Sequence, residues 1–488
     1  MENQKLDDYF GYTEAGSSLQ GEMRAGLTTF MTMAYILFVN PDMLASTGIP
    51  FDDALFATAM AAFVGCVIMG LWANQPYALA PGMGLNAFFA FTVAASPDWG
   101  GMGIPWDVAL AAVLVEGVLF MIISLPQVGW RSKMINAIPR DLKIATMAGI
   151  GMFLAIIGFR EMGWVANDPA TLVTLNPAAA WTHTSGELWA LIGLTAIAVM
   201  MAKGMKGAII YGVAGVTVAS WAMAAMGYDI VDTYNFDPFA PAGEQVAYAA
   251  APEAWFGFVG LPEESMGAAI GALGDIGGSS STLSGFLFVM ITFLFVDIFD
   301  TAGTLYGVGK MAGKIDEDDQ IEAADEAFMA DAGATIVGAL CGTSTTTTYI
   351  ESAAGIEEGG KTGLTAVVVG VLMLSGLFLA GIFKAIPAFA AAPALVVVGA
   401  MMMKGAAEID WNDKEMAIPA FVTIAMMPFT YSIANGIAWG VITYVLIKMA
   451  MQKWNDLNPV MYTVAGLLVM FYLGPGDQTT FEWLFSYL

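Results

Sequence analysis

Leu79-Ala80-Pro81-Gly82-Met83-Gly84-Leu85-Asn86-Ala87-Phe88-Phe89 and Leu340-Cys341-Gly342-Thr343-Ser344-Thr345-Thr346-Thr347-Thr348-Tyr349-Ile350-Glu351-Ser352 each interrupt an apolar run with residues that favour turn or extended backbone. In the first stretch proline removes a backbone donor and glycine lets the chain leave a helix. In the second, a β-branched threonine run favours extended backbone. Irregular backbone is tolerated at membrane depth only where it is buried in protein or lines a cavity. Paired breaks at matching positions of two halves of a chain point to a binding site near the bilayer midplane. Close helix packing by glycine and threonine explains one such break more readily than both.

The composition around these breaks leaves little but a membrane. The chain has 488 residues, 58% of them hydrophobic and 12% charged, where a soluble domain carries roughly 25% charged residues. A soluble fold of this length must still show a polar skin to water. A soluble enzyme, a disordered chain and a secreted disulfide scaffold are therefore excluded. Cys66 and Cys341 sit in apolar stretches, with no CxxC pattern to suggest a metal site. The N-terminal MENQKLDDYFGYTEAG is acidic and lacks an apolar centre, so it does not read as a signal peptide.

Spans of ~20 apolar residues are expected near 22–46, 54–74, 76–95, 106–125, 141–160, 187–203 and 207–227. They resume near 283–305, 327–342, 343–355, 362–383, 387–403, 416–431 and 433–452, with an apolar patch at 460–473. The expected architecture is all-α and polytopic, with about fourteen spans and short extended breaks in spans 3 and 10. With the N-terminus cytoplasmic, alternation puts every Lys and Arg inside except Arg160 and Lys384, the asymmetry of the positive-inside rule. The polar stretch 228–282 falls outside and holds no Lys or Arg, but it holds Asp229, Asp232, Asp237, Glu244, Glu253, Glu263, Glu264 and Asp275. It splits the chain into two sets of seven spans. An odd number per set inverts one half against the other, as in inverted-repeat transporters. Phe38-Val39-Asn40 in the first span aligns with Phe295-Val296-Asp297 in the eighth.

Ionisable side chains inside spans are costly and mark function. Asp297 and Asp300 lie in the eighth span at i,i+3 spacing, on one helix face that Thr301 and Thr304 continue. Glu351 follows the threonine run, and Asn86 follows the first break. Glu116, in the fourth span, is read as a brace between helices. No Lys or Arg occupies mid-span, and His183 falls in an outer loop, so any proton coupling must use carboxylates. Such a site suits a neutral, NH-bearing ligand or a cation, and suits a free anion poorly. Gly355-Ile356-Glu357-Glu358-Gly359-Gly360-Lys361-Thr362 matches a phosphate-loop pattern. No βαβ unit surrounds it, and two glutamates would sit in the cradle, so it reads as a cytoplasmic turn.

GLTTFMTMAYILFVNP, ALAPGMGLNAFFAF, FLFVDIFDTAGTLYGVG and GTSTTTTYIESAAGIEEGGKTGLTAVVVG resemble the azaguanine-type purine permeases. These belong to the nucleobase–cation symporter (nucleobase–ascorbate transporter) family, which also holds the uracil and xanthine permeases. The resemblance runs from about residue 9 to 452. It implies uptake of adenine, guanine or hypoxanthine driven by protons rather than sodium; no cofactor, metal or nucleic-acid partner is expected, and no nucleophile–base pair or metal cluster supports enzymatic activity.

It also implies the uracil-permease fold. That gives a tail at 1–21, one repeat at 22–227, an outer loop at 228–282, the second repeat at 283–452 and a C-terminal segment at 453–488. Spans 1–4 and 8–11 would form a core domain and spans 5–7 and 12–14 a gate domain. The resemblance carries Asp297 and Glu351 over as base contacts and Asp300 and Asn86 as further important positions. Thr301 stands where uracil-type relatives have a histidine. Asp297, Asp300 and Glu351 are the expected proton-coupling groups, Thr348 a further contact, and Phe88, Phe89 or Phe299 a stacking surface. The same likeness implies a cell (inner) membrane protein and a homodimer, while the cytoplasmic termini follow from the Lys and Arg asymmetry and the even span count. The alternatives are a uracil or xanthine permease, a sulfate-permease-type anion transporter, and a passive channel.

The net charge of −26 gathers in the outer loops and in Asp316-Glu317-Asp318-Asp319. It reads as a surface suited to a salty environment, where ions screen the repulsion.

Overall fold

The computed structural model describes residues 2–97, 101–127, 139–168, 170–177, 179, 181–228, 230–231, 247–248, 251–252, 254–274, 276, 280–316 and 321–472. Arg131, Lys133, the outer-loop acids Asp229, Asp232, Asp237, Glu244, Glu253 and Asp275, and Glu317 to Asp319 lie outside the described residues. Among those described, seven helices are long and apolar enough to cross a membrane: Phe51–Ala73, Trp106–Ser124, Arg140–Glu161, Ala208–Ala225, Gly285–Ala312, Ala388–Glu408 and Ile433–Ala450. Helices dominate because each satisfies its own backbone polar groups, as a lipid interior requires.

The first half runs α1 (Glu2–Phe10), α2 (Leu19–Met33), α3 (Ile36–Ala45) and α4 (Phe51–Ile68), the last extended by a π-turn over Met69–Ala73. There follow strand β1 (Leu79–Pro81), α5 (Met83–Ala87) with a π-helical continuation over Phe88–Ala94, α6 (Trp106–Ser124), α7 (Arg140–Glu161), α8 (Gly186–Ala202) and α9 (Ala208–Ala225). The second half runs α10 (Ala268–Leu273), α11 (Ser280–Ala312), α12 (Ala324–Cys341), strand β2 (Thr346–Thr348), α13 (Ser352–Glu357) and α14 (Gly363–Met373). It closes with α15 (Ala380–Lys384), α16 (Ala388–Met403), α17 (Lys414–Thr430), α18 (Ile433–Ala450) and α19 (Pro459–Tyr472).

Proline starts several of these helices. Pro50, Pro105, Pro139 and Pro387 immediately precede α4, α6, α7 and α16, and each carries a backbone φ preset near the helical value. At the other end of α12, Gly342 adopts φ +109° and its N–H bonds back to the Gly338 carbonyl. A side chain there would be strained and would collide with Ser265. This glycine turns the chain out of α12 and toward β2.

Two spans expected to be continuous are broken. The first divides into α2 and α3 at Ala34-Tyr35, where Leu37 and Phe38 N–H groups reach back three residues to Ala34 and Tyr35. Pro41, inside α3, lacks the N–H that would meet the Leu37 carbonyl, and this loosens the regular ladder at that point. The eleventh divides into α14, a 3₁₀ segment at Leu374–Phe378 and α15.

Packing sorts the helices by neighbour. α4 and α6 pack on α12, α6 on α11, and α2 on α14. Elsewhere α7 packs on α16 and α17, and α8 and α9 pack on each other and on α16. Outward faces carry Leu71, Trp72, Val118, Ile122, Ile192, Val199, Tyr211, Val218, Phe421 and Leu446. An apolar exterior of that kind marks a membrane protein.

Candidate substrate-binding site

The two sequence breaks meet. β1 and β2 pair antiparallel, with Leu79 opposite Thr348, Ala80 opposite Thr347 and Pro81 opposite Thr346. Gly82 N–H donates to the Thr345 carbonyl at 2.9 Å and Tyr349 N–H to the Ala78 carbonyl at 2.9 Å. Pro81 offers no donor, and its carbonyl accepts from the Tyr349 hydroxyl at 2.6 Å. From α12, Thr335 clamps β2 on both sides: it donates to the Thr346 carbonyl at 3.1 Å and accepts from Thr346 N–H at 3.0 Å. A Cβ on Gly82 would stand 2.8 Å from Thr347 Cγ2, so the two strands approach this closely only with glycine there. Cys66 exchanges hydrogen bonds with the backbone of Leu79, and both cysteines are free and buried.

Beside this strand pair lies a narrow, partly open cleft. Tyr35, Met83, Asp300, Thr304 and residues Thr347 to Glu351 line it on one side. Ile150 and Leu154 from α7 and Val398 and Met402 from α16 line the other. No Lys, Arg or His is among the lining residues, so the charge-bearing groups are the carboxyls of Asp300 and Glu351.

The expected site residues divide. Glu351, Asp300 and Thr348 line the cleft. The buried Glu351 carboxyl accepts a hydrogen bond from the Tyr35 hydroxyl at 2.7 Å. The Thr348 hydroxyl is engaged with Asp331 at 3.0 Å. Asp297 is buried outside the lining, 3.5 Å from the Thr301 hydroxyl. Asn86 is also buried outside it, with neither side-chain polar atom hydrogen-bonded. Phe88, expected to stack on a ligand, sits edge-on to Phe293 with ring centroids 5.2 Å apart. The helix passes from α to π form at Phe88, and that ring meets α11 rather than the cleft. Phe89 leans on Phe293 too, and Phe299 stacks on Phe295. The aromatic side chains that do line the cleft are Tyr35 and Tyr349.

Sequence reasoning missed Tyr35 and Asp331. Asp331 carried a signal, an acid inside the apolar run 327–342; Tyr35 did not, because its partner lies 316 residues away. Glu116, expected to brace helices, is buried with neither carboxyl oxygen hydrogen-bonded. The phosphate-loop-like turn at 355–362 is already occupied from within. The buried Glu22 carboxylate accepts from Lys361 N–H at 3.0 Å, Thr362 N–H at 3.2 Å and the Thr365 hydroxyl at 2.6 Å. His183 is exposed, edge-on to Tyr228. Among the described residues no group of three His, Cys, Asp or Glu side chains could hold a metal.

Comparison with known proteins agrees along the chain. The Permease family model named Xan_ur_permease matches residues 20–439. The guanine/hypoxanthine permease PbuO of Bacillus subtilis is 38% identical over 470 residues, covering 95% of this chain and 99% of that protein. The adenine permease AdeP of Escherichia coli is 34% identical over 465 residues, covering 95% of each. In structure, the transmembrane domain of the cyanobacterial bicarbonate transporter BicA superposes with a TM-score of 0.55 at 15% identity, over 88% of this chain and 97% of that one. At that identity the likeness speaks for the fold alone. A polytopic helical chain whose two broken segments pair beside a carboxyl-lined cleft, matched by this family over most of its length, belongs to the permease family.

Proposed function

We propose that this permease imports purine nucleobases (hypoxanthine, guanine or adenine) by proton symport, through alternating access at the cleft between two domains. The observation that carries the reading is Glu351: a buried carboxyl facing a cation-free cleft, held by Tyr35 and flanked by paired backbone strands. A purine base is flat and neutral and offers adjacent N–H donors, which a carboxylate accepts as a fork. Relatives named as guanine/hypoxanthine and adenine permeases support the same substrate class. A uracil- or xanthine-type permease keeps the chemistry, and a relative of Schizosaccharomyces pombe named as a putative xanthine/uracil permease is 35% identical, but the guanine/hypoxanthine and adenine names recur among the relatives. An anion carrier or channel fits poorly with two carboxyls and no cation in the cleft.

In this reading Glu351 and Asp300 meet the base, Thr348 lies beside them, and Asp297 takes part in proton coupling. Asn86, one turn into α5 with its amide unpartnered, is a further candidate contact for the base, and Phe88 packs on Phe293 of α11. The core consists of α2 to α6 and α11 to α15, and the gate of α7 to α9 and α16 to α18. Fourteen spans in two inverted repeats place both termini in the cytoplasm of a cell with this permease in its inner membrane. The ion pairs fit that topology. Arg24 and Lys206 reach Glu358, and Arg140 and Lys310 reach Glu408, all expected inside; Lys384 meets Asp52, both expected outside.

Purified protein in liposomes with an inward proton gradient tests this. Labelled hypoxanthine, guanine or adenine should accumulate saturably, and a protonophore should collapse the accumulation. Absence of saturable uptake of all three contradicts purine transport, and accumulation indifferent to the protonophore contradicts proton coupling.

A further inference from the structure

A second group of acids is buried outside the cleft lining. Glu116 on α6, Asp297 and Thr301 on α11, and Asp331 on α12 are all at 0% exposure. The Thr301 hydroxyl lies 2.8 Å from Asp331 Oδ2, 3.5 Å from Asp297 Oδ1 and 3.1 Å from the Thr347 hydroxyl. Thr348, which does line the cleft, donates to the other oxygen of Asp331 at 3.0 Å. Glu116 is carried by α6, which packs directly on the helix that carries Asp297, α11. Neither oxygen of Glu116, nor Asp297 Oδ2, has a hydrogen-bonding partner.

Such an arrangement is expensive unless it holds something. Buried polar groups are ordinarily satisfied, and two carboxyls packed together without a counter-charge cannot both be ionised at bearable cost. The titratable groups nearest them are Asp300 on α11, one turn from Asp297, and Cys66 on α4, whose thiol is bound to Leu79. Neither is a base with a positive charge to offer. The ligand these orphaned oxygens can share is a proton.

The hydroxyls supply the connection. Thr301 has one O–H and stands between two carboxyls, so it donates to one and accepts from the other. A proton on Asp297 Oδ1 passes to Thr301 Oγ1 as the Thr301 hydroxyl proton passes to Asp331 Oδ2; one O–H bond forms for each that breaks. Negative charge then moves from Asp331 to Asp297. An Asp331 that has gained a proton accepts less strongly from Thr348 and releases that hydroxyl toward the cleft.

We propose that Glu116, Asp297 and Asp331 form a proton store separate from the base-contacting cleft, joined to it through Thr301 and Thr348. The proposal rests on the proton-symport reading above, and the test separates the two. Wild-type protein and Glu116→Gln are reconstituted in liposomes and assayed twice with labelled hypoxanthine, guanine and adenine. The first assay is exchange of labelled for unlabelled base at equal pH, which needs no net proton movement. The second is accumulation driven by a proton gradient.

Glu116→Gln should keep exchange within about threefold of wild type and lose proton-driven accumulation by about tenfold or more, a tenfold loss being ~1.4 kcal/mol. Equal accumulation by variant and wild type overturns the store and leaves transport standing. Loss of both activities in a variant that elutes as folded protein assigns Glu116 to the frame and also overturns it. Asp331→Asn keeps an acceptor for Thr348 and should show the same split, which stands in if Glu116→Gln fails to fold. Wild-type protein without uptake removes the symport reading itself.

Discussion

Two sets of buried carboxyls in this molecule are treated in opposite ways. Near the ends of the helices, Glu22 accepts from two backbone N–H groups and a hydroxyl, and Asp53 accepts from the N–H groups of Glu263, Glu264 and Ser265. Each ties segments remote in sequence: α2 to the start of α14, and α4 to the loop ahead of α10. Deeper in the bundle, Glu116 and Asp297 keep oxygens with no donor at all, and Glu351 holds a single tyrosine. A carboxylate surrounded by N–H donors is a staple of the fold, because each donor it satisfies would otherwise be an orphaned backbone group. A carboxyl left short of donors costs stability and is retained for what it binds. Burial alone does not distinguish these roles; the count of donors does.

Several substitutions can break or sharpen that contrast. The largest effect is expected at Glu351→Ala, which leaves the fold intact and weakens base binding by about 2–5 kcal/mol, the cost of truncating a buried charged partner. Equilibrium binding of labelled base to purified protein measures it. Glu22→Ala should do the reverse. Stranding the N–H groups of Lys361 and Thr362 lowers thermal stability in detergent by about 1–3 kcal/mol, while affinity for base stays as in wild type. Were Glu22→Ala to lose binding at unchanged stability, the division into staples and ligand-holding acids would be wrong.

Asp297→Asn belongs with the donor-poor set: stability holds, exchange persists, and proton-driven accumulation fails. The smallest effect is expected at the exposed ion pairs near the helix ends. Lys310→Ala breaks an ion pair whose partners are each about half exposed; such a pair contributes under about 1 kcal/mol. Thermal melting at low and at high salt checks this, since any difference should vanish as salt rises.

Much of this was legible in the sequence because membrane depth makes irregularity conspicuous. Pro81-Gly82 and the threonine run announced two breaks, and the structure pairs them strand to strand. The carboxyls of Asp300 and Glu351 stood out against apolar neighbours for the same reason. What escaped depended on geometry that no local pattern carries. Tyr35 reaches Glu351 only because the first span breaks at Ala34-Tyr35, an interruption without glycine. Phe88 reads as a stacking surface in sequence, but its ring packs edge-on to Phe293, a partner more than two hundred residues away that no local pattern reveals. Asp331 was as visible as Asp297 but sits in a helix whose first turn, with Asp325 and Glu326, makes acids look like solvent-facing charge. Its meaning emerges from Thr301 and Thr348, which approach it from two other segments.

Central to the proposed function is a base held at Glu351, in a cleft with no Lys, Arg or His in its lining. Equilibrium binding of hypoxanthine, guanine and adenine to purified wild type, Glu351→Ala and Glu22→Ala tests this most directly. Saturable binding of at least one purine by wild type and by Glu22→Ala, and its loss in Glu351→Ala, is the expected result. Wild-type affinity in Glu351→Ala, or no saturable purine binding by the wild type, would contradict it.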